Sequence, residues 1–271
     1  MSQKNLLTLV HGTLEQGTVM AMATSTPVVE ALEMVQIQGN AYSYNVVKDV
    51  IATGHRELGE EVTPSELQTE KKTIGLKILT NSVKTDRALG VMQDINDIQA
   101  ESQSLAMISS GLQLEKEVLK RLDEEVTSGI GKKFTGALTM DLIDDALDYV
   151  RGIREGKGII FVSQKVKREL SKLMKNEGYK TANEEAFGRK ATIYDNVPII
   201  TSENVADAKI YVVKFGMDAV HGITNGGIKT YNYDRGVHAV TDTELLYNVI
   251  AKTDKAFAII EPTLSRSLKT K

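Results

Sequence analysis

Cysteine and tryptophan are absent from the sequence, and proline occurs only four times. Without cysteine, the chain has no disulfide, no thiol nucleophile and no cysteine-based metal site. No apolar run is long enough to cross a bilayer, and the N-terminus lacks the basic and then apolar order of a signal peptide. We therefore expect synthesis in the cytoplasm, no membrane association, and stability that comes from packing and from contacts between subunits.

The charge balance argues against a chain that coats nucleic acid. The formal net charge is −3, and the composition is that of an ordinary globular protein. Coating a phosphate backbone needs clustered Lys and Arg. One local cluster spans residues 163–175, but its cations alternate with apolar residues at helical spacing. We interpret it as the solvated face of an amphipathic helix.

Motifs for catalysis or metal binding are also missing. Gly129, Gly131 and Lys132 suggest a phosphate-binding loop, but position 126 is valine and position 133 is lysine, so the spacing fails. Histidines do not occur as HxH or HExxH, and adjacent carboxylates point to different faces of a helix. We predict no catalytic residue, no metal and no cofactor. These histidines and carboxylates are His11, His55, His221, His238, Glu60, Glu61, Asp144 and Asp145.

Two strand-like segments, residues 35–47 and 69–81, flank the polar residues 54–68. Both contain β-branched and aromatic residues with partial two-residue alternation, so they predict a long two-stranded arm. An isolated hairpin is only marginally stable in water. We therefore expect the arm to lie on a second copy of the chain. The candidate contact residues are Tyr42, Tyr44, Val46, Lys71, Lys72, Ile74 and Leu76.

Residues 89–126 contain no proline and repeat apolar residues mostly at steps of three, four or seven. This spacing predicts one continuous helix of about 57 Å, with Gly90 and Gly111 as weak points. Such a helix is longer than an ordinary domain needs, which makes it a spine. The positions predicted for its buried face are Leu105, Ile108, Leu112 and Leu119.

Shorter elements alternate after this helix. Thr139 is a candidate N-cap, and residues 158–162 have the composition of a buried strand. A second helix is predicted from Ser163 and is ended by Gly178. Asp195 and Asn196 are suited to a hairpin turn, and residues 208–215 to a central strand. These elements together predict an α+β fold.

The order of an arm and a spine helix resembles the major capsid proteins of tailed bacteriophages, which share the Hong Kong ninety-seven fold. Residues 26–47 are similar to the entry into the family's extended loop, and residues 73–89 to the loop's exit and the start of the spine. Residues 243–262 look like the closing hairpin of the peripheral domain. The resemblance implies an N-terminal arm (1–34), an extended loop (35–84), a peripheral domain with the spine helix (85–141), an axial domain (142–239), and a closing hairpin with the C-terminal tail (240–271).

The resemblance also implies a function. Copies of the chain would form hexamers and pentamers that close an icosahedral head shell, or prohead, around double-stranded phage DNA without sequence-specific binding. A separate scaffolding protein and a portal are the expected partners, and the shell would assemble in the host cytoplasm and become part of the virion. An encapsulin-type nanocompartment has the same fold and is the first alternative. A soluble α+β enzyme is the second.

Some members of the capsid family join subunits by an isopeptide bond between an arm lysine and a peripheral-domain asparagine. Lys71 and Lys72 are the arm lysines that could react, and Asn248 lies in the predicted closing hairpin. Lysines on an edge strand also prevent unwanted strand pairing. The bond is therefore the less favoured of the two interpretations of these lysines.

Overall fold

The computed structural model describes residues 26–47, 55, 58, 59, 69–88, 98–178, 182–186 and 189–263. Most of the predicted N-terminal arm, the tip of the predicted extended loop, the first residues of the predicted spine helix and most of the C-terminal tail lie outside the described residues. The described part contains both helices and mainly antiparallel strands, with runs of consecutive strands at both ends, as is typical of an α+β fold. Two larger sheets and a two-stranded hairpin make up its β-structure.

The elements are numbered in chain order. The strands are β1 (Met34–Gln36), β2 (Ala41–Val47), β3 (Thr69–Gly75), β4 (Lys77–Asp86), β5 (Lys132–Ala137), β6 (Gly158–Val162), β7 (Ala182–Ala186), β8 (Arg189–Tyr194), β9 (Val197–Thr201), β10 (Ile210–Lys214), β11 (Val220–Arg235), β12 (His238–Ala251) and β13 (Phe257–Thr263). The helices are α1 (Pro27–Ala31), α2 (Ile98–Thr127), α3 (Met140–Tyr149) and α4 (Gln164–Asn176).

A seven-stranded sheet with the order β5-β13-β10-β6-β9-β8-β7 forms one half of the molecule. Every residue of β6 is buried, because the sheet is covered on both faces. Ile159 and Phe161 belong to the core shared with α2, whereas Ile160 and Val162 belong to the core shared with α3 and α4. The strand predicted for residues 158–162 is thus confirmed as a central strand.

Local signals in the sequence fix the ends of several elements. The side chains of Thr139 and Ser163 accept hydrogen bonds from the amides of Leu142 and Val166, which caps α3 and α4. Asp195 and Asn196 have φ values of 45° and 63° in the turn between β8 and β9. Asn and Asp tolerate this left-handed region better than most residues, so the predicted hairpin turn is confirmed.

A four-stranded sheet with the order β1-β11-β12-β4 forms the other half. The predicted boundary after residue 239 falls inside β12, whose partner β11 was assigned to the axial domain. The predicted closing hairpin is wrong, because β12 pairs with β11 and β4 whereas β13 pairs with β10 and β5. Strand β13 alternates between the two cores, with Phe257 on one side and Ala258 on the other, so it needs a sheet that is covered on both faces.

Helix α2 has 30 described residues, a length of about 45 Å, and packs against both larger sheets. Leu119 is buried, but Leu105 is 62% exposed and was wrongly predicted as a core position. Ile108 and Leu112 are half-buried. The buried face follows Met107, Ser110, Gly111, Leu114, Glu115, Val118, Leu119, Leu122 and Glu125. The buried face includes polar residues, so the spacing of apolar residues alone predicted the wrong face of the helix.

Among the described residues, no helix is both long enough and apolar enough to cross a membrane.

Candidate interaction surfaces

Strands β2 and β3 form an antiparallel hairpin in which Tyr42 is opposite Ile74 and Tyr44 is opposite Lys72. The predicted pairing of the two segments is confirmed for these residues. Each predicted strand is shorter than expected, because β1 and β4 leave the hairpin and join the four-stranded sheet. Gly39, with φ of 94°, lies in the bend between β1 and β2.

One face of the hairpin lies on the chain's own core. Tyr44 is 7% exposed and Val46 is 1% exposed, so the prediction that these two residues contact a second copy is wrong. Tyr42, Ile74 and Leu76 are half-buried at the edge of the same core. The described base of the arm is therefore stabilised within one chain, on the C-terminal half of α2.

A buried carboxylate connects the hairpin to α2. Arg121 donates a hydrogen bond to Glu125, which is 2% exposed, and Lys72 Nζ of β3 lies 3.6 Å from Glu125 Oε2. Ser128 Oγ also donates to Oε2 at 3.2 Å. Burial, and then the negative charge of Glu125, raises the pKa of Tyr44 to about 12. This cluster sets the position of the hairpin on the helix.

Two hydrogen bonds to backbone carbonyls fix the end of the hairpin where β2 begins and β3 ends. Leu76 N donates to Asn40 O at 2.8 Å, and Asn248 Nδ2 of β12 donates to Gly75 O at 2.7 Å. Asn248 and Lys72 thus both have partners within the chain, whereas Lys71 is exposed. An isopeptide bond between neighbouring copies stays a prediction, and a ladder of linked chains on a denaturing gel of assembled particles would reveal it.

The four-stranded sheet has one covered and one open face. On the covered face, Asn81 Nδ2 donates to Ala106 O of α2 at 2.7 Å, and Gln103 Nε2 of α2 donates to Thr241 Oγ1 at 2.6 Å. The opposite face carries large exposed apolar side chains, which we name the open sheet face. Its members are Ile78, Tyr231 and Tyr233, with exposed fractions of 65%, 49% and 44%.

Sequence reasoning missed this open sheet face. The signal that could have found it is the alternation in β11, where Tyr231 and Tyr233 are two residues apart and therefore share a face. The register places them beside β12 and β4, with Tyr233 opposite Val240 and Val240 opposite Lys84. A sheet face with exposed aromatic residues is typical of a contact surface.

The residues weighed for catalysis have structural roles where the structure describes them. A Cβ atom at Gly131 would lie 2.6 Å from the Phe257 ring, so close packing requires this glycine. His221 is buried, and burial lowers its pKa. Asp144 accepts a hydrogen bond from the Tyr194 hydroxyl at 2.7 Å. No group of three metal-binding side chains occurs among the described residues.

A cavity of about 740 Å³ lies between α2, α1 and the segment after β9. Ile108 and Leu112 line it, which explains why both are only half-buried. Glu115 also lines it, and Asn204 Nδ2 donates to its Oε2 at 2.9 Å. The cavity contains none of the residue arrangements that nucleophilic or acid–base catalysis requires.

Solved structures share this architecture over most of the chain. The holo-SrpI encapsulin complex from Synechococcus elongatus PCC 7942 is 17% identical, with 88% of each chain covered and a TM-score of 0.69. The structure of Microbacterium phage Oxtober96 is 12% identical, with 88% of this chain and 91% of that chain covered and a TM-score of 0.63. The capsid of cyanophage P-SCSP1u is 10% identical, with 86% of each chain covered and a TM-score of 0.60.

No protein-family model and no curated protein matches the sequence. The similarity to the solved structures is therefore one of tertiary structure. These proteins are described as capsids, a virus-like particle and an encapsulin. At such low identity the similarity establishes the fold and leaves the function to be argued separately. The chain has the Hong Kong ninety-seven fold, as its resemblance to phage capsid proteins predicted.

Proposed function

We propose that this chain is a structural subunit, not an enzyme, and that its copies assemble into the icosahedral head shell of a tailed bacteriophage. Hexamers and pentamers would build the shell, which would enclose double-stranded DNA in the virion. The observation that carries this proposal is the match of 86% or more of the chain to capsid and encapsulin structures.

The open sheet face supports self-association. Ile78, Tyr231 and Tyr233 expose apolar area that has no cover among the described residues. Burying apolar surface contributes about 25 cal/mol per Å², and a stable interface buries roughly 1,200 Å² or more in total. The half-buried Tyr42, Ile74 and Leu76 leave part of the hairpin uncovered, and we propose that they contact a neighbouring copy together with Lys71.

Two further partners follow from the capsid proposal. A separate scaffolding protein would direct assembly in the host cytoplasm, because weak contacts between subunits need guidance to reach one closed shell. A portal would occupy one vertex and admit DNA. The DNA itself would be held without sequence-specific contacts.

A second candidate is an encapsulin-type nanocompartment. The encapsulin complex matches with a TM-score of 0.69, above the values for the two phage structures described above. This candidate predicts the same shell with a different content. An encapsulin encloses a cargo protein, whereas a phage head encloses DNA.

Expression of the full chain, with and without the neighbouring genes of its source, tests both candidates. Electron microscopy should show closed particles, and nuclease treatment followed by DNA extraction should recover protected DNA from a phage head. Protected protein cargo without DNA would favour the nanocompartment. A chain that stays monomeric under all of these conditions would contradict both candidates.

A further inference from the structure

Helix α4 combines a buried apolar side with an unusually basic exposed side. Val166, Leu170 and Met174 are buried against the seven-stranded sheet. The helix contains five Lys or Arg residues and one Glu, so it holds four net positive charges in a chain whose net charge is −3. Four of these cations form a continuous row, which we name the basic stripe. The basic stripe consists of Lys167, Arg168, Lys172 and Lys175.

The basic stripe forms a shallow groove of about 360 Å³ on the surface of α4. Gln164 and Ser171 are its other lining residues, and both are polar. Residues three or four positions apart are neighbours on a helix, so the groove runs for roughly 16 Å along the axis. The lining contains cations and polar groups, and no apolar side chain.

The basic stripe has no carboxylate partner among the residues whose side chains the structure describes. Several cations elsewhere in that part of the chain have such a partner: Arg121 pairs with Glu125, Lys209 with Asp123, and Lys214 with Asp218. Natural surfaces usually intersperse charges of both signs. In α4, like charges lie three or four residues apart and repel each other, so the isolated chain gains nothing from their clustering.

The composition of the groove decides which kind of partner it fits. Interfaces between proteins have an apolar or aromatic centre and are depleted in Lys. Contacts to a nucleic-acid backbone use Lys and Arg with Ser and Gln donors, because phosphate oxygens accept hydrogen bonds and carry the negative charge. The basic stripe matches the second description. The open sheet face, by contrast, matches the first.

We propose that the basic stripe binds the phosphate backbone of double-stranded DNA and lines the inside of the shell. Its location inside a shell rests on the proposed function, whereas its affinity for DNA does not. Four cations on a single helix give a weak contact in each subunit, and the contact is repeated over the whole inner wall. This proposal departs from the sequence-based interpretation of residues 163–175, which favoured a solvated face over a contact to phosphate.

Fluorescence anisotropy with the full chain and a duplex of about 30 base pairs tests the affinity. Each neutralised phosphate contributes about −0.9 to the slope of log K against log salt, so four contacts predict a slope near −3.6 and a loss of about 100-fold between 50 and 200 mM salt. The variant K167Q/R168Q/K172Q/K175Q should lose most of this slope and bind at least about ten-fold more weakly at 50 mM salt.

A matched control removes four exposed cations from the other half of the molecule. The variant K84Q/K229Q/R235Q/K252Q has the same net charge as the stripe variant but keeps α4 intact. It should bind DNA nearly as the wild type does. Equal weakening by both variants would show that only net charge matters, and it would overturn the proposal. Replacing the three stripe lysines by arginine should preserve binding.

Particles separate this proposal from the proposed function. Shells of the stripe variant should form normally and release their DNA at lower salt than wild-type shells do. If the stripe variant binds DNA like the wild type but fails to form shells, the stripe is a contact between copies and the proposal is wrong. If the wild type forms no particles, the proposed function fails, whatever the anisotropy shows.

Discussion

The two larger sheets differ in how completely one chain covers them. In the seven-stranded sheet, α3 and α4 pack on one face and α2 on the other, and β6 has no exposed residue. In the four-stranded sheet, α2 covers one face, while Ile78, Tyr231 and Tyr233 remain exposed on the opposite face. The first sheet is covered on both faces within a single chain, whereas the second has a face that no described residue covers.

Helix α2 explains how one element serves both sheets. Asp123 on one side accepts hydrogen bonds from Lys209 and Tyr211, at the start of β10 in the seven-stranded sheet. Asn81 of the four-stranded sheet donates to the backbone of the same helix. Helix α2 therefore connects the seven-stranded sheet to the four-stranded sheet. We expect the stability of the unassembled chain to depend mainly on the seven-stranded sheet, and assembly to depend on the four-stranded sheet.

The largest effect on stability should come from Phe161 in the seven-stranded sheet. Phe161 is fully buried and meets Phe215 edge to face at a centroid distance of 6.0 Å. Phe161→Ala should lower the free energy of unfolding of the unassembled chain by about 3 to 5 kcal/mol, because it removes buried area and leaves a cavity. Urea denaturation followed by circular dichroism measures it. A loss below about 1 kcal/mol would contradict a tightly packed core at this strand.

An intermediate effect is expected at the junction between the hairpin and α2. Glu125→Ala should lower the free energy of unfolding by about 2 kcal/mol, since Arg121 and Lys72 lose their shared carboxylate. Hydrogen exchange should accelerate in β2 and β3 and stay slow in β6.

Glu124 provides a matched control, because it pairs with the same Arg121 at 3.2 Å but is 45% exposed. Glu124→Ala should change stability by less than about 0.5 kcal/mol. Equal effects of the two substitutions would show that the hairpin does not depend on the buried carboxylate.

An effect of comparable size, visible only at alkaline pH, should come from Tyr44. Its pKa is raised from 10.0 to about 12 by burial and by Glu125, so the unfolded chain loses this proton at lower pH than the folded chain. Stability should therefore be unaffected by this group below pH 10 and fall as the pH rises from 10 to 12. The decrease amounts to at most about 1.4 kcal/mol per pH unit for one group.

Comparison of the wild type with Tyr44→Phe isolates this contribution from those of other tyrosines and lysines. Thermal denaturation between pH 9 and pH 12 should show a shallower decline for the variant. Parallel curves for the two proteins would mean that Tyr44 ionises equally in the folded and unfolded states.

The smallest effect on stability should come from the open sheet face. Tyr231→Ser combined with Ile78→Ser should change the free energy of unfolding of the unassembled chain by less than about 1 kcal/mol, because both side chains are already exposed. The yield of closed particles should nevertheless fall sharply. Lys229→Ser, at an exposed polar position of the same strand, is the control and should leave both quantities unchanged. Normal particles from the double variant would assign the shell contacts to other surfaces.

Several features could be predicted because they depend on neighbours in sequence. The caps at Thr139 and Ser163, the turn at Asp195 and Asn196, and the fully buried strand β6 all match the sequence patterns. The pairing of β2 with β3 also follows from their composition. The sequence by itself thus determined the kinds of elements, their order and the capsid-type fold.

Tertiary structure alone decided which surfaces these elements bury. Leu105 is exposed although it is apolar. Glu125 is buried because Arg121 and Lys72 supply the positive charges that make a buried carboxylate tolerable. Tyr44 lies on its own chain's core because α2 passes beneath the hairpin. Strand β13 joined the seven-stranded sheet because only that sheet covers both of its faces. The spacing of apolar residues indicates which side chains share a face. The residues that cover this face come from distant parts of the chain.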